Sequence, residues 1–310
     1  MLRNEQWIIG GIFAAYLLWG NDELDGVGKI TDSTYIRPRS RVDTDFRNIS
    51  YPTVKTYHPD RIQPTNAKHW KKYSLSSNSA VQFFKLYSLE FGNWVTQNER
   101  LNYLYGITES LKNMARVIPS MQNHKIGFNK RLTIAVGARG TGGPAVAFYQ
   151  GTPLYLINLT RHNGPGALGH EWGHALDQYL AHRYLNNSSA FVSSGSVSDS
   201  IRKRINKDIL DSGHPIEKLF EQLFAIILWK EKEVPTEYHL FLLYSDSKYL
   251  NRRVEIFARV MEGYFRFKFK LQGIRDYMTI TRTRERDEPP PHLIRKAIPI
   301  INKILSYATS

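Results

Sequence analysis

The sequence contains no cysteine among its 310 residues. Disulfide bonds, thiolate metal sites and a cysteine nucleophile are therefore excluded, so any bound metal must be held by His, Asp or Glu side chains. This absence is compatible with the cytoplasm, a periplasm or a virus particle. With 42% hydrophobic and 13% aromatic residues, the chain still has the composition and length of a folded protein with an ample core.

A hydrophobic run long enough to cross a membrane is also missing near the N-terminus. The apolar residues 7–19 fall short of the about 20 residues that a helix needs to cross a hydrocarbon core. Trp7 and Trp19 frame this run as interface anchors would, so we predict that residues 1–20 form a hydrophobic segment that attaches the protein to a membrane. Two alternatives stay open: a helix buried in the fold or in a partner, and a signal peptide. The single Arg3 and the lack of a small-residue cleavage site disfavour the signal peptide.

Acidic residues are few: 28 Asp and Glu stand against 42 Lys and Arg, which gives a net charge of +14. This balance suggests an anionic partner, such as nucleic acid, lipid headgroups or a cell-wall polymer, or else a generally basic surface. Residues 21–75 are rich in proline and read as a basic linker or arm. Its cations alternate with aromatic residues: Arg37, Arg39, Arg41, Arg47, Lys55 and Arg61 beside Tyr35, Phe46, Tyr51 and Tyr57. Because no nucleic-acid-binding motif is present, we favour an arm that lies over the protein's own surface.

Residues 76–310 have the periodicity of one folded domain. Apolar residues at helical spacing predict helices over 81–95 and 101–114, and later over 167–184, 199–211, 215–231, 236–244, 250–269 and 291–307. A strand is expected at 132–136, and a hairpin is expected at 145–149 and 153–159. The glycines of 137–143 do not fit a dinucleotide or phosphate-binding loop. The predicted fold class is α+β, mostly helical, with a small sheet before the helix at 167–184.

That helix carries His170, Glu171 and His174 in the pattern HExxH. Residues four apart share one helical face, so both imidazoles can reach a single ion, while Glu171 can reach a water molecule on it. Two histidine ligands and a general base on one turn are typical of zinc metallopeptidases. A five-residue pattern also recurs by chance in unrelated proteins. Its position directly after the Gly164-Pro165-Gly166 breaker argues against chance here.

A catalytic zinc site needs a third protein ligand and an open position. Leu180 stands where a third histidine would follow in an extended motif, so a downstream glutamate is expected. Glu255 is the best candidate because its apolar neighbours predict a carboxylate beside the core, which is costly unless it is paired or bound to a metal. Glu262, two turns further along the same face, is the runner-up. Three glutamates have weaker surroundings: Glu217, Glu221 and Glu237.

Several separated blocks resemble a known family, the large polyvalent-protein-associated metallopeptidase-like domain (LPD1 type) of phages and mobile elements. The matching blocks lie at 91–95, 135–140, 155–160, 166–177 and 255–259, and they span about residues 80–270. The resemblance implies a zincin-like fold, a viral or mobile-element origin, and a site made of His170, Glu171, His174 and Glu255. Many relatives are one module of a giant polyprotein. Tyr249 and Leu250 stand where the family more often has an aromatic pair.

These observations predict a Zn²⁺-dependent metallopeptidase in which Glu171 activates water and His170, His174 and Glu255 hold the metal. Asp177 could orient a ligand imidazole or be a solvated helix residue, and Arg259 could serve the site or form a salt bridge at the core edge, which we favour. The strand at 153–159 is expected to pair with an extended substrate. Four side chains are candidate donors to the oxyanion: Tyr244, Tyr249, His214 and His239.

Three functional classes are compatible with these residues. The first is a peptidase acting on protein, and the second is a hydrolase of peptidoglycan cross-links used in entry or lysis. The third is a non-enzymatic structural protein of a membrane-containing virion, which the intact set of His and Glu residues disfavours. The expected location is membrane-associated, at a virion membrane or a host cell envelope, with a protein or peptide-containing substrate as partner.

Overall fold

The computed structural model describes residues 76–310, with gaps at 93–94, 96, 139–146, 152–154, 161–163, 188–189, 195–204, 232–233, 246, 277 and 281–286. The segment 1–20 and the arm 21–75 lie outside the described residues, and so do the predictions of a membrane anchor and of an anionic partner for the arm. Among the described helices, none is both long enough and apolar enough to cross a membrane.

The described part of the domain is α+β and mostly helical, as the sequence predicts. Its helices are α1 (Ser77–Phe84), α2 (Gln97–Val117), α3 (Leu168–Leu185), α4 (Lys207–Ser212), α5 (Pro215–Leu228), α6 (Glu237–Tyr244), α7 (Arg253–Leu271) and α8 (Pro291–Thr309). Its strands are β1 (Ser88–Phe91), β2 (Leu132–Val136), β3 (Ala147–Gln150), β4 (Tyr155–Leu159), β5 (Trp229–Glu231) and β6 (Val234–Pro235). Helix α3 carries the HExxH motif and helix α7 carries Glu255.

Four strands form one sheet in the order β1-β2-β4-β3. The first three of these are parallel, and β3 pairs antiparallel with β4, with Tyr149 opposite Ile157. The hairpin prediction is therefore confirmed, but the prediction that strand 153–159 offers a free edge is wrong. Strand β4 has a neighbour on each side, and β3 is the edge strand on this side of the described sheet.

Residues 81–95 do not form the single helix that their periodicity predicts. Helix α1 ends at Phe84 and is capped by Lys85, whose φ of 51° lies in the left-handed region, and residues 88–91 then pair with β2 as strand β1. Leu89, Glu90 and Phe91 are all buried in this strand, and a short, fully buried segment cannot be distinguished from part of a helix by its periodicity. The left-handed conformation of Lys85 ends the helix, and pairing with β2 makes residues 88–91 a strand.

The predicted helix 215–231 is also shorter than expected. It ends at Leu228, and residues 229–231 form β5, which pairs with β6. The remaining helices agree with the sequence to within a few residues. Of the predicted helix 199–211, residues 199–204 lie outside the described residues, 205–206 are not helical, and α4 begins at Lys207.

Helix α3 lies at the centre of the domain, and every residue from Leu168 to Ala181 is buried. It packs against β3 and β4 on one side and against α7 on the other. Trp172 anchors it there, because its indole N–H donates to the carbonyl of Ile126 at 3.1 Å and its ring stacks on Phe128. Burial on all sides fixes the rotation of the helix, and thereby the direction in which its two histidines point.

Candidate metal centre

The first turn of α3 is held by backbone groups of a distant segment. Ala167, at the N-cap, makes no side-chain cap, and the N–H groups of Leu168 and Gly169 instead donate to the carbonyls of Met278 and Thr279, each at 3.0 Å. These bonds satisfy donors that a helix start leaves unpaired. The backbone is therefore fixed up to Gly169, the residue directly before the HExxH motif.

The segment 278–279 is held in turn by Asp276. One carboxylate oxygen of Asp276 accepts the backbone N–H groups of Met278 and Thr279 and the Ser110 hydroxyl, while the other accepts the amide of Asn113 at 3.0 Å. Ser110 and Asn113 belong to α2, so Asp276 ties that helix to the start of α3. The sequence gives no sign of this role, because a single Asp in a connecting segment carries no local pattern.

His170, His174 and Glu255 converge on one point. The Nε2 atom of His170 lies 3.2 Å from one carboxylate oxygen of Glu255, and the Nε2 atom of His174 lies 3.3 Å from the other. The three prospective ligand atoms lie within 4.8 Å of one another, and all three residues are buried. In the part of the chain that the structure describes, this is the group of His, Asp and Glu side chains that could hold a metal ion.

Gly173 allows this approach of the two helices. A Cβ atom at this position would lie 3.1 Å from the Cα of Ala258 and 3.2 Å from the Cβ of Met261, both on α7. Because glycine has no side chain, the backbone of α3 comes close to α7 on the face that carries the histidines. The glycine inside the HExxH motif is thus the reason that Glu255 reaches both imidazoles.

The electrostatics of the group favour a bound cation. Burial lowers the pKa of His170, but hydrogen bonds to Glu255 and Glu262 outweigh it and raise this pKa to about 9. Burial acts to raise the pKa of Glu255, whereas the charge of His174 and hydrogen bonds to both imidazoles hold it well below its usual range. A buried carboxylate of this kind requires positive charge beside it. A proton on an imidazole supplies that charge, and so would a metal ion.

His174 lies between two aromatic rings. Tyr149 of the edge strand β3 stacks on its imidazole at a centroid distance of 6.2 Å, and Phe191 meets it edge-on at 6.4 Å. The Tyr149 hydroxyl donates to the Gln178 side chain of α3 at 2.7 Å. These contacts fix the imidazole and bring the edge of the sheet next to the metal-binding group. Neither aromatic residue could be assigned to the site from sequence.

Glu171 and Tyr249 lie beside this group. Glu171 is 5% exposed and follows His170 directly on the helix. Tyr249 hydrogen-bonds the Glu255 side chain, and the negative charges of Glu255 and Glu171 contribute, after burial, to a pKa of Tyr249 well above its usual value. The phenol is therefore a neutral donor close to both carboxylates.

The other oxyanion candidates lie elsewhere. The side chain of Tyr244 is 82% exposed, and His214 caps the start of α5 by accepting the N–H of Ile216 at 3.2 Å. His239 packs against Trp229 with its Nδ1 atom 3.0 Å from the carbonyl of Leu228. Of the four candidates, Tyr249 is the one that contacts the metal-binding group.

Glu262 and Arg259 form a buried pair next to the ligand group. Glu262 contacts His170 at Nδ1, at 3.5 Å, on the side of the ring away from Glu255, so it does not replace Glu255 as the third ligand. Arg259 is 4% exposed, and its Nη1 lies 3.9 Å from Glu262 and 3.8 Å from Asp287. Arg259 therefore pairs with a buried carboxylate that contacts a site histidine, and the favoured interpretation of a salt bridge at the core edge is wrong.

The three remaining glutamates stay outside the group. Glu217 caps α5, Glu221 pairs with Arg253 at 2.5 Å, and Glu237 lies beside Lys230 and His292.

Asp177 holds a neighbouring turn. Its carboxylate is fully buried and accepts the backbone N–H of Ser193 at 3.0 Å, next to Phe191. Burial raises the pKa of this carboxyl to about 6. Asp177 is therefore not a solvated residue, and its hydrogen bond goes to the turn at 192–194 rather than to an imidazole.

Comparison with models of known families, with curated proteins and with solved structures finds no match to this chain.

Proposed function

We propose that the chain is a zinc-dependent metallopeptidase with a zincin-like fold. The observation that carries the proposal is the convergence of two imidazole nitrogens and one carboxylate from α3 and α7 on a single buried point. The HExxH motif places Glu171 beside that point, which is the position of a general base in this class of enzyme. The resemblance to the large polyvalent-protein-associated domain supports the same function and adds a viral or mobile-element origin.

The donor set fits zinc. Two neutral imidazoles and one carboxylate are a common ligand set for catalytic zinc, and they leave a position open for water. The burial of the three side chains fits a bound cation, because each would otherwise need a proton or another partner. When bound, zinc supplies Lewis acidity that polarises a carbonyl and makes water a stronger nucleophile.

The chain's own residues would carry out three tasks. Glu171 accepts a proton from the attacking water and delivers it to the leaving amine. Tyr249 donates a hydrogen bond to the oxygen of the scissile carbonyl as negative charge develops there. The edge strand β3, which reaches the site through Tyr149, aligns an extended peptide by backbone pairing.

The test begins with the metal content of the full-length chain and its hydrolytic activity. We expect about one zinc per chain after reconstitution, together with cleavage of an unstructured protein such as casein. Glu171→Gln is expected to retain zinc and to lose at least about 100-fold in rate, because it removes the base without removing a ligand. Glu237→Gln, which alters a carboxylate outside the site, is the matched control and should keep full activity.

The outcomes separate the functional classes. Failure to bind zinc would overturn both enzymatic hypotheses and leave a structural role in a membrane-containing particle. Zinc-dependent release of peptides from cell-wall sacculi, with casein untouched, would assign the activity to peptidoglycan cross-links instead of protein. Membrane association through residues 7–19 stays a prediction that vesicle flotation of the same full-length chain would test.

A further inference from the structure

The two nitrogen atoms of His170 face different carboxylates. Its Nε2 atom points to Glu255, at 3.2 Å, and its Nδ1 atom points to Glu262, at 3.5 Å. An imidazole that binds a metal through Nε2 carries its proton on Nδ1, and the partner of that proton fixes both the tautomer and the ring orientation. At 3.5 Å, Glu262 stands at the outer limit of hydrogen bonding to this nitrogen.

Glu262 lies in a place that water does not reach. Its exposed fraction is 0%, and a carboxylate buried to this extent is costly unless positive charge or hydrogen-bond donors surround it. His170 lies on one side of the carboxylate, and Arg259 lies one turn earlier on α7, with Nη1 3.9 Å away. The Glu262 carboxylate thus lies between an imidazole nitrogen and a guanidinium, in a position from which it can accept the Nδ1 proton of His170.

Arg259 is itself held from two directions. It lies between Glu262 and Asp287, which precedes α8, and the backbone carbonyl of Asp287 accepts the Tyr238 hydroxyl at 3.2 Å. On α7 the positions 255, 259 and 262 share one face, because they are spaced by four and three residues. A single helix face therefore supplies the prospective ligand, the cation and the outer carboxylate.

We propose that Glu262 is a positioning residue of the metal centre: its carboxylate accepts the Nδ1 proton of His170 and keeps Nε2 free to bind the ion. The inference rests on the proposed metal site and extends it beyond the three ligands. Among the described residues neither Nδ1 atom has a partner at full hydrogen-bond geometry, but a carboxylate oxygen of Glu262 lies 3.5 Å from that of His170, whereas the ring of His174 is held by Tyr149 and Phe191. The two histidines are thus fixed by different means.

The test compares two substitutions of Glu262 in the full-length chain. Glu262→Met removes both the charge and the acceptor at similar volume, and we expect it to weaken zinc affinity by about 10–100-fold in competition with a chromophoric chelator. Glu262→Gln retains an acceptor oxygen and should lose less. In nitrogen NMR spectra of the zinc-loaded parent, one histidine should show a slowly exchanging Nδ1 proton, which Glu262→Met should lose.

Glu288→Gln is the matched control. Glu288 is also a buried carboxylate and lies near enough to interact electrostatically with Glu262 and Arg259, but its side-chain hydrogen bonds go to Arg266, at 2.6 Å and 2.8 Å, and not to a site histidine. It should bind zinc like the parent. Equal affinities of Glu262→Met and Glu288→Gln would overturn the role of Glu262 while leaving the metal centre intact. A parent that binds no zinc would overturn the metal centre itself, and this inference with it.

A double variant tests the proposal if Glu262→Met does not fold. If Glu262→Met leaves Arg259 as an unpaired buried cation and does not fold, Arg259→Met combined with Glu262→Met removes both charges together. This double variant is expected to fold and to show the same loss of zinc affinity. Parent-like affinity of the folded double variant would overturn the proposal.

Discussion

At the scale of single residues, the site separates binding of a metal from chemistry on a substrate. His170, His174 and Glu255 point at one another, whereas Glu171 and Tyr249 lie beside them and are not needed to complete the ligand set. A substitution of either neighbour should therefore affect turnover without removing the metal. This difference makes the proposed roles of Glu171 and Tyr249 separable from those of the ligands.

Tyr249→Phe is the sharpest test of this separation. The substitution removes one hydroxyl, and we expect kcat to fall by about 100-fold with little change in KM, because the donor acts on charge that develops in the transition state. The zinc content of the saturated protein should not change, because all three ligands remain, although loss of the hydrogen bond to Glu255 should weaken zinc affinity. The measurement is steady-state hydrolysis of a fluorogenic peptide by zinc-loaded protein.

Tyr244→Phe is the control for Tyr249→Phe. Tyr244 ends the preceding helix and is 82% exposed, so its hydroxyl should be dispensable. A Tyr249→Phe enzyme as active as Tyr244→Phe would remove Tyr249 from the mechanism.

The sequence predicts the residues of the candidate site better than it predicts their surroundings. His170 and His174 follow from helical spacing, and Glu255 follows from a carboxylate among apolar neighbours. Tyr149 and Phe191 reach the centre through the fold alone, and Asp276 supports the start of α3 in the same way, since each comes from a different segment with no local pattern. Glu262 lies on the predicted face of α7, but it contacts Nδ1 of His170 and is not the third ligand. Spacing along a helix does not show which imidazole nitrogen a carboxylate will contact.

At the scale of elements, the metal centre depends on how closely α3 and α7 pack. The predicted helices at 167–184 and 250–269 agree with α3 and α7 to within three residues. The Gly164–Gly166 breaker marks the start of α3, which is buried on all sides, and apolar residues at helical spacing mark α7. The short segments at 88–91 and 229–231 are strands and not the predicted helix, because a strand of three or four residues is decided by its partner strand. The crossing point at Gly173 is also a tertiary property, visible only when Ala258 and Met261 lie opposite it.

Gly173→Ala tests this dependence. The added Cβ would stand 3.1 Å from the Cα of Ala258, which is backbone and cannot rotate away, so α7 must shift by some tenths of an ångström. We expect a loss of about 1–3 kcal/mol in unfolding free energy and a weaker zinc affinity, because Glu255 moves with α7. Denaturant unfolding and chelator competition measure the two effects.

Gly263→Ala provides the comparison for Gly173→Ala. Its new Cβ would also meet an atom at 3.1 Å, but that atom is the flexible end of the Ile294 side chain, on the face towards α8. Zinc affinity should survive this change. Parent-like affinity of Gly173→Ala would contradict the view that the glycine sets the geometry of the site.

At the scale of the whole molecule, the candidate centre is a concentration of negative charge in a chain with a net charge of +14. Glu171, Glu255 and Glu262 are buried in one region, and Arg259 is the guanidinium that lies among them. Burial of several carboxylates is tolerated when cations are buried with them. A divalent ion bound to His170, His174 and Glu255 would complete this balance and link α3 to α7, the two helices at the centre of the domain.

Removal of the metal should therefore destabilise the entire described domain and not only the site. Zinc at about 100 times its dissociation constant would add about 2.7 kcal/mol to the folded state. In a domain of this size, that corresponds to a rise in Tm of about 5–10 °C. Thermal unfolding followed by circular dichroism, with zinc and then with excess chelator, measures the difference.

His174→Ala should unfold at the same temperature in both conditions, whereas His182→Ala, on the same helix but outside the ligand group, should keep the parent's response. An identical Tm of the parent with zinc and with chelator would show that no ion joins α3 to α7, and the buried carboxylates would then have to be balanced by Arg259 and by a proton on His170 instead.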